Sequence, residues 1–379
     1  MTIHAVIGAQ FGDEGKGVLV DYLSTSNTLV VRFNGGAQAG HTVVTPLGLR
    51  HEFHHLGAGT FRGADTLLSR FFLINPILFV QESDELRTLA PWVTPRVFVD
   101  WTAQVTTPFD MLINRALENA RSDNRHGSCG LGIHETMVRR DTKYCLHASH
   151  LEDSAKLQDR LHRIATEYVP ERCRSLGIPT ITFKDDLIPN FLSYVEEFLN
   201  RTEIVTDMTV LRCGKDVVFE GAQGLRLDAV YGTWPHVTHS RTGLTNIAHL
   251  LHSMDPPLGD LHVVYVTRSY TTRHGAGPLH RECPGHPFGW SGPETNVTND
   301  YQGALRYAPL YHPDVLLAIE RDLGHIDWPV THGIAVTCLD QVPPPLIPTI
   351  VKPFGSDLQY MVSGPTRADV TLAAQPSHV

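Results

Sequence analysis

HAVIGAQFGDEGKGVLVDYL, residues 4–23, passes from an apolar run through a glycine-rich turn into a segment of helical character. His4 to Ile7 reads as a short strand, and Val18 to Leu23 as the start of a helix. Gly8, Gly12, Gly15 and Gly17 crowd the turn between them. Strand, glycine turn and helix in this order open an α/β domain with a parallel sheet, whose ligands bind beyond the carboxyl ends of the strands. Glycines let backbone N–H groups turn inward onto phosphate oxygens, and the helix that follows adds its positive end. Lys16 supplies a point charge for the outer phosphates. The loop is not a Walker A motif, because Gln10 stands where its first glycine belongs and Gly17 where Ser or Thr would bind magnesium. Nor is it a dinucleotide fingerprint, which needs a G-x-G spacing.

Outward from this stretch, the apolar run Leu29 to Phe33 enters a second glycine-rich loop, Asn34 to Gly40, followed by His41 and Thr42. A histidine after a glycine turn at a strand end can reach a phosphate as acid or hydrogen-bond donor, and two such strand ends close in sequence face one crevice. Helical periodicity is expected over Phe109 to Asn119, Leu151 to Tyr168 and Tyr194 to Leu199. Strands are expected at Asp216 to Glu220, His262 to Thr267 and Gly333 to Leu339. The proline-rich stretch Pro343 to Pro353 reads as a connection between late strands. No linker or internal repeat divides the chain. The expectation is one domain, residues 1–379, around a mainly parallel central sheet with helical and small β subdomains.

The composition excludes several classes. With 42% hydrophobic and 19% charged residues, the chain has the makings of a sizeable core, which argues against disorder. A net charge of −9 is wrong for coating nucleic acid. No secretory pattern and no long apolar span appears, so a cytoplasmic protein with neither membrane nor nucleic-acid partners is expected. The six cysteines are scattered and read as free thiols. Asn296-Val297-Thr298 fits a glycosylation sequon that has no meaning without a secretory route. His51-Glu52-Phe53-His54-His55 formally fits the zinc-protease pattern, but that motif needs a helix, and this stretch alternates like a strand.

Gly12-Asp13-Glu14-Gly15-Lys16-Gly17 followed by Gly35-Gly36-Ala37-Gln38-Ala39-Gly40-His41-Thr42 resembles the signature of the adenylosuccinate synthetase family. The resemblance continues through Phe219 to Gly224, Leu227-Asp228, Gly232 to Thr238, Thr272-Arg273, Gly275 to Pro278, Thr337 to Asp340 and Ser363-Gly364-Pro365. It implies a P-loop-like nucleotide site and a ligase that joins aspartate to carbon 6 of a purine nucleoside monophosphate. In that reading Asp13 takes the N1 proton, the 6-oxygen attacks the γ-phosphate of a donor nucleotide, His41 assists as acid, and the aspartate amine displaces the new phosphoryl group. Gln223 holds the purine edge. The resemblance assigns the donor nucleotide to Gly12, Gly15, Lys16, Gly17, Gly40, Thr42, Asp340, Ser363, Gly364 and Pro365. The monophosphate falls to Asp13, Gln38, Ser128, Cys129, Arg139, Gln223, Thr238 and Arg306. Aspartate falls to Thr298, Asn299, Gln302 and Gly303, and Mg²⁺ to Asp13 and Gly40. A homodimer is implied, with Arg139 reaching across its interface to the partner's monophosphate.

The chain departs from the family pattern in places. The arginine-rich loop of bacterial members is replaced by residues 298–306, where Arg306 survives. The lysine that packs on guanine is Cys338, while Asp340, which reads guanine's N–H groups, remains. These features resemble the archaeal and phage branch, which contains phage enzymes acting on dGMP, although many of those alter the position of Asp13. The best expectation is therefore dGMP, aspartate and ATP as substrates, giving N6-succinyl-2-amino-2′-deoxyadenylate for a phage 2-aminoadenine pathway. The alternative is IMP, aspartate and GTP. A nucleotide-binding homologue without ligase activity is the competing class, opposed by the retention of Asp13 and His41. A nucleoside-triphosphatase switch lacks its magnesium-binding hydroxyl after Lys16.

Overall fold

The computed structural model describes residues 1–121, 130–206, 208–212, 214–254, 259–292 and 303–374. Its strands are β1 (Ile3–Gly8), β2 (Thr28–Arg32), β3 (His41–Val44), β4 (Arg50–Phe53), β5 (Asp65–Leu68), β6 (Val97–Asp100), β7 (Glu203–Val205), β8 (Asp216–Gly224), β9 (Leu261–Arg268), β10 (Tyr270–Arg273), β11 (Arg306–Pro309), β12 (Val330–Thr337), β13 (Leu358–Val362) and β14 (Val370–Leu372). Its helices are α1 (Lys16–Leu23), α2 (Pro76–Leu89), α3 (Pro108–Arg121), α4 (Ile133–Arg140), α5 (Ser154–Arg163), α6 (Val169–Leu176), α7 (Leu187–Arg201), α8 (Leu244–His252), α9 (His312–Leu323) and α10 (Ile347–Val351).

Ten of the described strands form one sheet in the order β14-β13-β12-β9-β1-β8-β2-β5-β6-β7. Every neighbouring pair is parallel except β13 and β14. The central strands are apolar on both faces, as a sheet covered on both sides requires. Val6, Val30, Val218 and Val264 point into one core, shared with α1, α2, α3 and the α5 to α7 segment. Ile7, Val31, Phe219 and Tyr265 point into the other, shared with α8 and α9. From β1 and β9 the chain builds the sheet outward in opposite directions, which opens a crevice at the carboxyl ends of these strands. Two antiparallel ribbons, β3–β4 and β10–β11, rise beside it.

The strand–turn–helix opening and the strands expected after residue 215 are present, with ends shifted by a few residues. Residues 343–353 do connect the late strands β12 and β13. The expected single helix over Leu151 to Tyr168 is instead a 3₁₀ turn, then α5, then a π-helical stretch from Ile164 to Tyr168 that runs into α6. Pro170, which has no N–H to donate and whose ring crowds the preceding turn, accounts for the π-helical stretch ahead of α6. Asp153 caps α5 through the Lys156 N–H. The strand character of residues 50–53 also holds. β4 pairs with β3, and His51 faces Val43. His55 lies beyond the strand, where its Nε2 accepts the Asn75 N–H at 3.1 Å. The two histidines therefore serve packing in different surroundings.

Candidate active site

The loop after β1 is held by one buried carboxylate. Glu14 Oε1 accepts the Gln10 and Gly12 N–H groups at 3.1 and 2.9 Å, and Glu14 Oε2 accepts Lys16 Nζ at 2.6 Å. The space for that carboxylate exists because Gly8 and Gly224 lack side chains. A Cβ at either position would stand 2.3 to 2.5 Å from a Glu14 oxygen. Gly12, Asp13 and Gly15 have φ of 92°, 61° and 82°, a left-handed turn that delivers the chain into α1 with no side chain capping its first N–H groups. Thr337 Oγ1 from β12 donates to the Glu14 carbonyl at 2.7 Å, and Arg268 Nε from β9 donates to the Asp13 carbonyl. The loop is thus clamped by the ends of β9 and β12, and the uncapped N-terminus of α1 leaves amides to meet an anion.

These strand ends line a cavity of about 1270 Å³. Asp13, Gly12, Gly15, Lys16, Gly17, Gln38, Gly40, His41, Thr42, Gln223, Thr238, Asp340, Gly364 and Pro365 all reach it, so residues far apart in the chain converge on one cavity. Burial pushes the Asp13 carboxyl above its ordinary value, against the pull of Arg268, His274 and Lys16. His274 Nε2 lies 3.6 Å from Asp13 Oδ2. His41 is hydrogen-bonded through Nδ1 to Glu220 Oε1. Burial alone would raise the Glu220 carboxyl, but Arg32, His41 and the Ala58 N–H together hold it below its ordinary value. Glu220 is therefore the acceptor, His41 Nδ1 carries the proton, and Nε2 is left for a ligand. Burial takes the His41 imidazole down to about 4, so it rests neutral.

Gly17 serves packing. A Cβ there would come within 2.9 Å of the Thr42 carbonyl, so its absence lets β3 cross close over α1 and brings His41 to Lys16. Asp13 and the Gly40 backbone reach the same cavity, and a single carboxylate beside open space fits Mg²⁺, which keeps waters as most of its ligands. Among the described residues no group of three or more metal-binding side chains occurs.

Several expected contacts are not made. Arg139 is 1% exposed and closed on Asp110, with Nε and Nη2 on its two carboxylate oxygens at 2.9 and 2.8 Å. Its remaining donors go to the Val105 and Tyr144 carbonyls. Within this chain it is a core cation, and Arg140 is the exposed member of the pair. Arg306 does not line the cavity either. It binds Glu282 and the Gly275 and Gly277 carbonyls, and so props the loop after β10. Ser363 sits behind Gly364, with its N–H on the Asp369 carbonyl. Gly303 stands away from the cavity in a left-handed turn. Ser128, Cys129, Thr298, Asn299 and Gln302 lie outside the described residues.

The cavity also holds residues that sequence reasoning did not assign. Arg268 and Arg273 line it, as do His274, Trp290, His134 and His239. Arg273 donates to the Ala276, Pro278 and His236 carbonyls, and its guanidinium lies 4.5 Å from the Phe11 ring. Burial lowers it to about 10. Position at the carboxyl end of β9 or β10 was the available signal for both arginines.

Comparison with known proteins agrees with this architecture. The family model described as adenylosuccinate synthetase matches residues 5–298. The chain belongs to the adenylosuccinate synthetase family. An adenylosuccinate synthetase of Cyanothece sp. is 34% identical over 283 residues, 73% of this chain and 62% of that protein. One from Clostridium botulinum is 30% identical over 311 residues, 76% of this chain and 70% of that protein. The chain thus spans a little under two thirds of the length of the cyanobacterial synthetases it matches. Among solved structures, the fully ligated adenylosuccinate synthetase of Plasmodium falciparum superposes with a TM-score of 0.77 at 20% identity, covering 99% of this chain and all of that one. The succinoaminodeoxyadenylate synthetase of cyanophage S-2L, bound to dGMP and dATP, gives 0.66 at 17% identity, covering 98% and 95%. Both support the synthetase fold, an α/β domain around a large, mostly parallel sheet.

Proposed function

We propose that this protein is a ligase that couples cleavage of a nucleoside triphosphate to joining aspartate with a 6-oxopurine nucleoside monophosphate. The observation that carries this is the convergence of Asp13 and Glu220-bound His41 on one cavity behind a clamped, amide-rich loop. A purine carbonyl is a poor electrophile until its oxygen is phosphorylated. Asp13, made more basic by burial, takes the N1 proton, and the electron pair moves to the 6-oxygen. That oxygen attacks the γ-phosphorus, and the nucleoside diphosphate leaves. Loop amides and Lys16 meet the charge on the moving phosphoryl group. His41 rests neutral with its proton on Nδ1, so it is not a resting acid; its Nε2 meets that charge only after taking up a second proton, as an imidazolium steadied by Glu220. The aspartate amine then adds at carbon 6, inorganic phosphate departs, and the amine gives up a proton. Asp13 and the Gly40 carbonyl would hold Mg²⁺, which supplies charge neutralisation for phosphoryl transfer. Gln223, held at φ 63°, is assigned to the purine edge, and Gln38 and Thr238 to the monophosphate. Gly12, Gly15, Gly17, Thr42, Gly364 and Pro365 are assigned to the donor nucleotide. We place the enzyme in the cytoplasm as a homodimer, with Arg140 rather than Arg139 as the exposed basic side chain at the end of α4.

For the acceptor, the names of the curated relatives favour IMP, and Asp340 on the cavity wall favours GTP, whose guanine offers N–H groups to a carboxylate. A specific observation favours the second reading, dGMP with ATP. Arg306 is committed to Glu282 and loop carbonyls, which leaves the surviving arginine of residues 298–306 away from a ribose 2′-hydroxyl. The test is a matrix of IMP, dIMP, GMP and dGMP against GTP, ATP and dATP, with aspartate present or omitted, read by phosphate release and product mass. Aspartate-dependent turnover with IMP and GTP supports the first reading, and with dGMP and ATP the second. Phosphate release that ignores aspartate overturns both.

A further inference from the structure

Beside Thr238 the cavity wall carries two imidazoles, His134 from the first turn of α4 and His239. Their ring centroids are 4.2 Å apart and their planes are tilted by 40°. His134 Nδ1 is buried and has no hydrogen-bond partner among the described residues. The charged groups around them are Glu135, Arg172 from α6, and Arg121 from α3 with its neighbour Glu118. Both arginines are already neutralised. Arg121 binds Glu118 at 2.6 Å, and Arg172 makes a two-point pair with Glu135 at 2.7 and 3.1 Å. Arg139 is closed on Asp110. Among the described residues at this wall, the imidazoles are thus the groups with positive charge still to gain.

Burial lowers both imidazoles from their ordinary value, and His239 lowers His134 further, while Glu135 pulls both upward. The pair therefore rests neutral, one ring against the other, and an added anion would favour its protonated form. A phosphate monoester brings nearly two negative charges near neutrality. The α4 N-terminus, capped by Gly132 without a side-chain acceptor, adds free amides to the same wall.

Resting on the proposed function, we infer that His134 and His239 form the anion subsite for the 5′-phosphate of the acceptor nucleotide, and that binding takes up a proton. An imidazolium donates to the phosphate where an arginine from a neighbouring subunit was expected. Acceptor affinity then depends on pH, and a nucleoside without its phosphate escapes that dependence.

The experiment is titration calorimetry of the full chain with IMP and dGMP, and with the matching nucleosides, from about pH 6 to about pH 8 in buffers of different ionisation heat. Nucleotide binding is expected to take up close to one proton and to weaken by up to about tenfold per pH unit as pH rises. His134→Gln and His239→Asn should each weaken nucleotide binding about tenfold or more and remove the proton uptake, with nucleoside binding unmoved. His239→Arg should restore affinity without the pH dependence, which separates loss of charge from loss of fold. Nucleotide binding that is independent of pH, or unchanged in the variants, overturns the subsite and leaves the proposed function standing. Failure of every nucleotide to bind the folded chain overturns both. Tight binding of zinc alone, lost in both variants while nucleotide binding stays normal, makes the pair a metal site and also overturns the inference.

Discussion

Replacing Glu220 by glutamine separates a positioning carboxylate from a merely buried one. Glu220 accepts from His41 Nδ1 through one oxygen and from the Ala58 N–H at 2.9 Å through the other. Beside it on β2 lies Arg32, fully buried, with Nη1 on the Leu56 carbonyl and its guanidinium over Phe72. Glutamine keeps one acceptor oxygen but presents an NH₂ where the second was, so His41 and Ala58 can no longer both be served. A hydrogen bond to a charged group is worth about 1.5–3 kcal/mol. If that support is felt in the transition state, turnover falls about 10- to 150-fold. Losing the negative charge beside buried Arg32 also destabilises the fold. The matched control is Glu82→Gln. Glu82 is equally buried and accepts the His54, His55 and Leu56 N–H groups at 3.0, 2.7 and 3.2 Å, but it does not line the cavity. Both variants should melt early in urea. Only Glu220→Gln should lose kcat in aspartate-dependent phosphate release, with KM for the acceptor nearly constant, measured at a temperature where both are folded. Wild-type kcat in Glu220→Gln, or an equal loss in Glu82→Gln, would refute the reasoning.

Asp13→Asn should cut aspartate-dependent phosphate release by about 10²- to 10⁴-fold, the usual yield of a positioned base, while a fluorescent triphosphate analogue still binds. Gly17→Ala should cost about 1–3 kcal/mol in urea unfolding and displace His41, because the added Cβ meets the Thr42 carbonyl at 2.9 Å; unchanged stability would argue against the close crossing of β3 over α1. Arg139→Ala should lose about 3–5 kcal/mol by stranding buried Asp110, whereas Arg140→Ala should stay within about 0.5 kcal/mol. Asp322 is buried, and that burial raises its carboxyl from 3.8 to about 6. A raised acid favours the folded state when protonated, so this contribution is full below about pH 4 and is lost as pH rises through about 6, amounting to ~3 kcal/mol. Asp322→Asn keeps an acceptor for the Leu244 N–H and should flatten that part of the stability–pH curve, as read by urea midpoints across pH.

Much of the site was legible because its chemistry depends on short-range sequence. A glycine turn after an apolar strand must bend and must expose amides, whatever surrounds it, so Gly12 to Gly17 and Gly35 to His41 could be read directly. Helix α2 was missed although Asn75-Pro76 marks its start, with Asn75 accepting the Leu78 N–H. The short strands β5, β6 and β14 were missed because four residues or fewer carry little periodicity.

What the sequence determined by itself is the local grammar: strand, phosphate-ready turn, helix, and which carboxylate and imidazole stand at the two turns. What tertiary structure alone decided is which charges remain available. Arg139 and Arg306 look alike in sequence, and so do Glu14 and Asp13, yet Arg139 is closed on Asp110 and Glu14 on Lys16, while Asp13 faces the cavity. The physical reason is that a buried charge must find a partner, and its partner comes from a strand or helix far away in the chain, brought close only when the sheet is assembled.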